Sequence, residues 1–419
     1  MIMNLKYKIS KRNFFLILGI TALSIISIIF FLFDFSSPPK ADETGFTEEE
    51  VNKIVDSIGN FSFNLFQTIN RDDNIVFSPY SIYSAFAIVY EGSEGDTKSE
   101  MQKIFGFFEG FEPNFAWIYN RINEQKYVEL RTSNAIWIQK DFPVYDEYKN
   151  NIRRYFGAEL RLLDFRNDPE GSRKTINNYI SKKTKGKITE PLSPGTINQY
   201  TRMVITNVVY FKGFWKYKFD KSKTQDYDFW INENTKIKVK MMCMEPENTE
   251  FNYFENGEVQ MIELPYKGDE SSMIIILPKN YSSDILNSIS YEKYKEWKNS
   301  MRSLEAEKIC IPKFEIRNKY DLKDILMKMN LTKVFTLEAD LSKISNDQLL
   351  IDTAIHEAYI KTDEEGTEAT AITIGGVIAS SAPLRYIVFI ADHPFMFIIE
   401  EKKTGTILFM GKVYKPEFS

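Results

Sequence analysis

From Gly366 to Ala382 the chain reads GTEATAITIGGVIASSA, a run of small and β-forming residues with Glu368 as its one charge. No turn signal interrupts it before Gly375-Gly376. As an ordinary loop it is too long and too apolar. As a permanently exposed strand it is an aggregation hazard. Alternate side chains of a strand share a face. Here one face carries Thr367, Ala369, Ala371 and Thr373, all small. Such a face can slide between two existing strands without obstruction. An ordinary interior strand with a small-residue face fits the same composition.

The rest of the chain is globular in character. Its 419 residues are 43% hydrophobic and 15% aromatic, enough for an extensive interior. The formal net charge is -5, so there is no basic excess for nucleic acid. The two histidines, His356 and His393, and the two cysteines, Cys243 and Cys310, show no zinc-finger spacing. No metal or cofactor is expected. Two distant cysteines do not establish a bond, and buried free thiols are the expectation.

Phe14 to Phe33 is uncharged and long enough to span a bilayer as a helix. Lys6, Lys8, Lys11 and Arg12 precede it, and acidic residues from Asp34 onward follow. The positive-inside rule leaves residues 1–13 in the cytoplasm and exports the remainder. The expectation is an uncleaved single-pass anchor, with secretion after signal cleavage as the alternative, since no A-x-A-like site follows. Residues 34–45 then read as a linker through Ser36-Ser37-Pro38-Pro39, and residues 46–419 as one domain without repeats.

Within that domain the first third reads as helical. Thr47 and Glu50 form a capping-box pattern before the stripe Val51, Ile54, Val55, Ile58, Phe61 and Leu65. Ser78-Pro79 reads as the cap and first residue of another helix. Later, Val204–Phe211, Ser272–Pro278, Tyr386–Ile390, Phe395–Ile399 and Thr406–Val413 read as strands. Segregated helices and sheets point to an α+β fold.

Enzyme motifs are absent from the sequence. There is no G-x-S-x-G elbow and no G-x-x-x-x-G-K-[ST] loop. His356-Glu357 is not H-E-x-x-H, because Ile360 stands at the last position. His356 lies in a strand-like run, and His393 beside Pro394 reads as structural. Glu364-Glu365 would point to opposite faces of a strand, which suits no acid–base pair.

Several segments in one order carry a resemblance. Glu364 to Ala371 reads EEGTEATA; Asn74 to Ser81 reads NIVFSPYS; Asn177 to Ile188 reads NNYISKKTKGKI. Thr206 to Trp215 reads TNVVYFKGFW, and Pro312-Lys313-Phe314, Ala339 to Ser342 and Asp392 to Ile399 follow. From Phe46 to Pro416 the chain resembles the serpin family of serine protease inhibitors, with Val208 where alanine is usual. The resemblance implies helices, three β-sheets and an exposed reactive-centre loop above a large central sheet able to accept it as an extra strand.

It also implies residue roles. Glu364, Glu365, Gly366, Thr367, Glu368, Ala369, Thr370 and Ala371 would form the hinge. Ser78, Asn207 and His356 would form the shutter, with Trp215 and a Lys313–Glu364 pair near the top where insertion begins. Family spacing from Gly366 puts the scissile bond at Ser380–Ser381, with Arg385 as second choice. A small residue before the bond suits an elastase- or subtilisin-like protease. The implied protein is a monomeric protease inhibitor rather than an enzyme. A non-inhibitory binding or chaperone serpin and a cysteine-protease inhibitor are the alternatives.

Overall fold

The computed structural model describes residues 39–69, 71–281, 284–366 and 386–418. The apolar run Phe14–Phe33 lies outside them. Among the described residues no helix is long and apolar enough to cross a membrane. The compact unit begins at Ala41, ahead of the Phe46 boundary suggested by composition. Ala41 is buried there because Asn120 exchanges two hydrogen bonds with its backbone, both 2.9 Å.

The elements run α1 (Glu48–Ile69), β1 (Ile75–Phe77), α2 (Pro79–Glu91), α3 (Gly95–Phe105), α4 (Glu112–Asn123) and β2 (Val128–Gln139). Next come α5 (Asp146–Phe156), β3 (Glu159–Leu163), α6 (Pro169–Lys183), β4 (Met203–Gly213), β5 (Gln225–Asn232) and β6 (Thr235–Met244). They continue with β7 (Glu250–Glu255), β8 (Val259–Pro265), β9 (Ser271–Pro278), α7 (Asp284–Asn287), α8 (Tyr291–Asn299) and β10 (Arg302–Pro312). The chain closes with β11 (Phe314–Asp321), α9 (Leu322–Lys328), β12 (Ile351–Thr362), β13 (Ile387–Ile390), β14 (Phe395–Glu401) and β15 (Ile407–Val413).

Local signals explain the helix starts. The Glu50 N–H donates to Thr47 Oγ1 at 3.3 Å, and the whole apolar stripe of α1 is buried. Ser78 caps α2 by accepting from the Ser81 N–H at 3.2 Å, with Pro79 at the first turn. Residues 79–90 of α2 are all buried, so this helix lies inside the protein rather than on it.

Ten strands follow the order β1-β15-β14-β9-β8-β7-β10-β6-β5, with β13 beside β10. Strand β10 turns a corner: Arg302–Glu305 pair with β7, and Ile309–Pro312 pair with β6. That splits the path into two sheets. The third, central sheet has the order β11-β12-β4-β2-β3. Its strand β4 is buried on both faces, as its apolar run requires. Ile205, Val209 and Phe211 face the main core, while Val204 and Val208 face a second cluster with Ile176 and Ile180 of α6.

One expectation is corrected. Cys243 and Cys310 are buried, but they are bonded to each other and are not free thiols. The antiparallel register of β6 and β10 sets them opposite each other with Cα atoms 4.2 Å apart. A separation of 67 residues hides this pairing from any local reading.

Candidate functional site

Two clusters hold the line between β4 and β12, which are parallel neighbours. The lower cluster is a polar row across the central sheet. Tyr320 of β11 lies opposite His356 of β12, His356 opposite Asn207 of β4, and Asn207 opposite Asn134 of β2. The start of α2 sits against this row. The Ser78 N–H donates to His356 Nε2 at 3.0 Å, so Nδ1 carries the proton and donates to Asn207 Oδ1. The Asn207 amide then donates to the Ser81 carbonyl at 2.7 Å, to Ser81 Oγ at 2.6 Å and to Asn134 Oδ1 at 2.5 Å. Ser78 Oγ donates to the Leu408 carbonyl of β15 at 2.6 Å.

Ser78, Asn207 and His356 are completely buried. Burial holds the imidazole neutral and pushes its pKa down to about 3. Each bond contributes only about 1 kcal/mol net, but an orphaned partner at this depth costs about 1–3 kcal/mol.

The upper cluster closes the mouth of the gap. Register pairing of β4 with β12 ends at Tyr210 and Tyr359, whose rings stack at 6.3 Å. Above them β4 continues against β2 and β12 against β11, while the two strands no longer pair with each other. The chain leaving β12 turns back at once. The Asp363 N–H donates to the Gly366 carbonyl at 2.9 Å, and Gly366 bridges to Phe214. Gly366 has φ +128, and an added Cβ would lie 2.4 Å from the Gly213 carbonyl oxygen and 2.6 Å from Phe214 Cα. Only glycine fits this wedge.

The segment between β4 and β5 grips the turn. The Trp215 and Phe219 N–H groups donate to the Glu365 and Glu364 carbonyls at 3.0 and 3.1 Å. The Trp215 indole, stacked on Tyr266 at 4.7 Å, donates to the Asp363 carbonyl at 3.0 Å. Glu365 pairs with Lys218 at 2.6 Å and Lys221 at 2.8 Å. Glu364 Oε2 pairs with Lys313 at 2.9 Å, and its Oε1 accepts the Thr224 hydroxyl at 2.8 Å. Hydrogen bonds from Lys218 and Lys221 hold the Glu365 carboxyl below its usual range. Burial alone would raise Glu364, but its bonds, led by Lys313, hold it below as well.

With this geometry in view, the comparisons are specific. The model of the family described as "Serpin (serine protease inhibitor)" matches residues 56–416. The chain belongs to the serpin family. An uncharacterized serpin-like protein of Methanosarcina acetivorans is 39% identical over 373 residues, covering 85% of this chain and 87% of its own. A leukocyte elastase inhibitor of Xenopus tropicalis is 35% identical over 371 residues, covering 85% and 97%. Uncleaved ovalbumin aligns with TM-score 0.78 at 27% identity, covering 87% of this serpin and all of ovalbumin. Maspin aligns at 0.81 and 25%, covering 88% and all of maspin.

The fold expected from the resemblance is therefore the fold observed. Of the residues singled out from sequence, Ser78, Asn207 and His356 meet in the lower cluster. Trp215, Lys313, Glu364, Glu365 and Gly366 meet in the upper one. Thr367, Glu368, Ala369, Thr370, Ala371, Ser380, Ser381 and Arg385 lie outside the described residues. His393 sits away from both clusters, held by Asp392 at 2.8 Å and the Pro278 carbonyl at 2.7 Å. Sequence reading missed Asn134, Lys218, Lys221 and Thr224, and it marked Tyr320-Asp321-Leu322 only as part of the family resemblance, without a role in the site. Asn134 was signalled only weakly, as a polar residue in the strand-like run before Ala135-Ile136-Trp137.

Proposed function

We propose that this serpin inhibits serine-type endopeptidases as a suicide substrate, with the segment after Gly366 as bait. One observation carries the reading. The central sheet contains a parallel β4–β12 pair that parts at the end where the chain leaves β12 and folds back. A strand entering there from Gly366 would run antiparallel to both neighbours. It would replace one parallel junction by two antiparallel ones, whose ladders are the more stable per residue. The alternating small face from Thr367 to Thr373 suits that slot.

In this reading the protease serine attacks the Ser380 carbonyl, an acyl ester forms, and the amine of Ser381 departs. Insertion of the freed hinge side then carries the protease away before water completes hydrolysis. The elastase named in one relative's description supports a target with a small apolar primary pocket. The run Phe14–Phe33 would tether the inhibitor to the outer face of a membrane.

Incubation with a panel of serine proteases tests the reading, the expected result being an SDS-stable complex. Mass spectrometry of the released fragment should start at Ser381; a start after Arg385 moves the bond. Thr367→Arg places an unpaired charge in the inserting face and should turn the inhibitor into a substrate. Undiminished complex formation by that variant would defeat the insertion mechanism. A melting temperature that fails to rise after loop cleavage would favour a binding protein instead. A mature N-terminus near residues 35–45 would rule out the tether.

A further inference from the structure

Glu364 is held by two separate jaws, one on each carboxylate oxygen. The first jaw is the segment from Phe214 to Thr224, which ends in the Thr224 hydroxyl on Oε1. The second is the end of β10, which delivers Lys313 to Oε2. The jaws come from distant parts of the chain, and their spacing decides whether both oxygens can be held at once.

That spacing is set behind the hinge. The first jaw runs straight into β5, an edge strand whose register partner is β6. Strand β6 joins β10 through only four register pairs, Met241–Met244 with Ile309–Pro312. The disulfide lies within those four. The Cys243 carbonyl also accepts the Asp220 N–H at 3.3 Å, and the Asp220 carboxylate caps the turn carrying Lys221 by accepting the Ser222 N–H at 2.9 Å. On the other side Lys313 follows Cys310 by three residues, and its N–H donates to the Lys240 carbonyl of β6 at 2.8 Å. Both jaws are thus rooted within three residues of the Cys243–Cys310 bond.

We propose that the Cys243–Cys310 disulfide is the positioning element of the hinge: it fixes the distance between the Thr224 and Lys313 jaws and so sets how readily Glu364 and Glu365 let go. Cys243 and Cys310 lie outside the hinge segment itself, and the role is exercised through the jaws. The consequence for inhibition rests on the proposed inhibitory reading, while the mechanical claim does not. A short four-pair ladder with an edge hairpin beyond it is a structure that frays. Covalent closure at its centre removes that freedom.

Amide hydrogen exchange on the intact protein tests this without any protease. The Trp215 and Phe219 amides donate to hinge carbonyls and report release directly. Amides of β14 and β15 report global stability. In Cys243→Ala/Cys310→Val, which keeps the buried volume near native, exchange at Trp215 and Phe219 should rise about tenfold, with β14 and β15 far less affected. Equal acceleration in both places would reduce the disulfide to a general stabiliser and overturn the proposal, as would unchanged exchange at the jaws.

Thr224→Val supplies a second measurement. Alone it should speed exchange at Phe219 several-fold, about as much as a lost hydrogen bond allows, and it should add little once the disulfide is gone. Fully multiplicative effects would show that jaw and disulfide act independently, against the proposal. If the cysteine variant does not fold, the same comparison is made on folded wild-type protein before and after reduction with a phosphine. Failure to form any covalent protease complex would sink the inhibitory reading and leave the exchange result standing.

Discussion

The two clusters do the same job with opposite chemistry. The lower one, around His356 and Asn207, is neutral, and its Ser78, Asn207 and His356 are completely buried and linked to one another by hydrogen bonds or through Ser81. The upper one, around Glu364 and Glu365, is charged and meets solvent through Lys221, whose side chain is 65% exposed. A buried neutral network is insensitive to salt and costly to break. A partly exposed ion cluster is individually weak and screened by salt. For the proposed insertion, in which the sheet stays shut and then opens from the top, a firm lower lock and a lighter upper latch are well suited.

The largest effect is expected at the lower lock. Asn207→Ala would orphan His356 Nδ1 and remove the amide's bonds to Ser81 and Asn134. A loss of about 3 kcal/mol in chemical denaturation follows. A cost below about 1 kcal/mol would mean that the row is not a lock.

Acid separates the two clusters next. His356 stays neutral in the folded protein down to about 3, against an ordinary value of 6.5. The unfolded chain takes up this proton first, so stability falls as pH drops below the ordinary value. Between pH 6.5 and about 5 the loss from this residue is about 2 kcal/mol. The latch carboxylates are depressed, so their contribution is intact over that interval and is lost only as pH falls through their lowered values. Denaturation midpoints should therefore slope with pH in wild type, and more shallowly in His356→Asn. Equal slopes would remove the distinction.

At the latch, Gly366→Ala must move the hinge, because its Cβ would meet three backbone atoms of the Gly213–Trp215 stretch and its φ is left-handed. The expected cost is about 1–3 kcal/mol, seen locally as faster exchange at the Trp215 amide. Unchanged protection there would mean that Gly366 is not wedged. The smallest effect is expected for Glu365→Gln. It should alter Trp215 fluorescence at low salt and become indistinguishable from wild type at about 0.5 M salt, where screening is nearly complete. A difference that survives salt would place Glu365 in the lock's category.

Local chemistry made much of the fold readable. Thr47 and Ser78 announce α1 and α2 through caps formed within three residues. The strand runs at Val204, Ser272, Phe395 and Thr406 lie within one or two residues of β4, β9, β14 and β15. The hinge and lock residues were legible through resemblance, since Ser78, Asn207 and His356 are far apart in the chain and share no local pattern. Lys218, Lys221 and Thr224 were not legible. They reach Glu364 and Glu365 across 140 residues or more, and nothing in KYKFDKSKT distinguishes a gripping lysine from a solvated one.

By itself the sequence determined where helices and strands begin, which faces are apolar, and that a small-faced segment follows Gly366. These depend on periodicity, caps and side-chain size, all local properties. Tertiary structure alone decided that β4 and β12 are parallel neighbours that part at one end. It alone set Cys243 opposite Cys310 and gave Glu364 its second partner, Thr224. Such facts depend on strand register, which brings together residues that the chain keeps far apart and that no local rule connects.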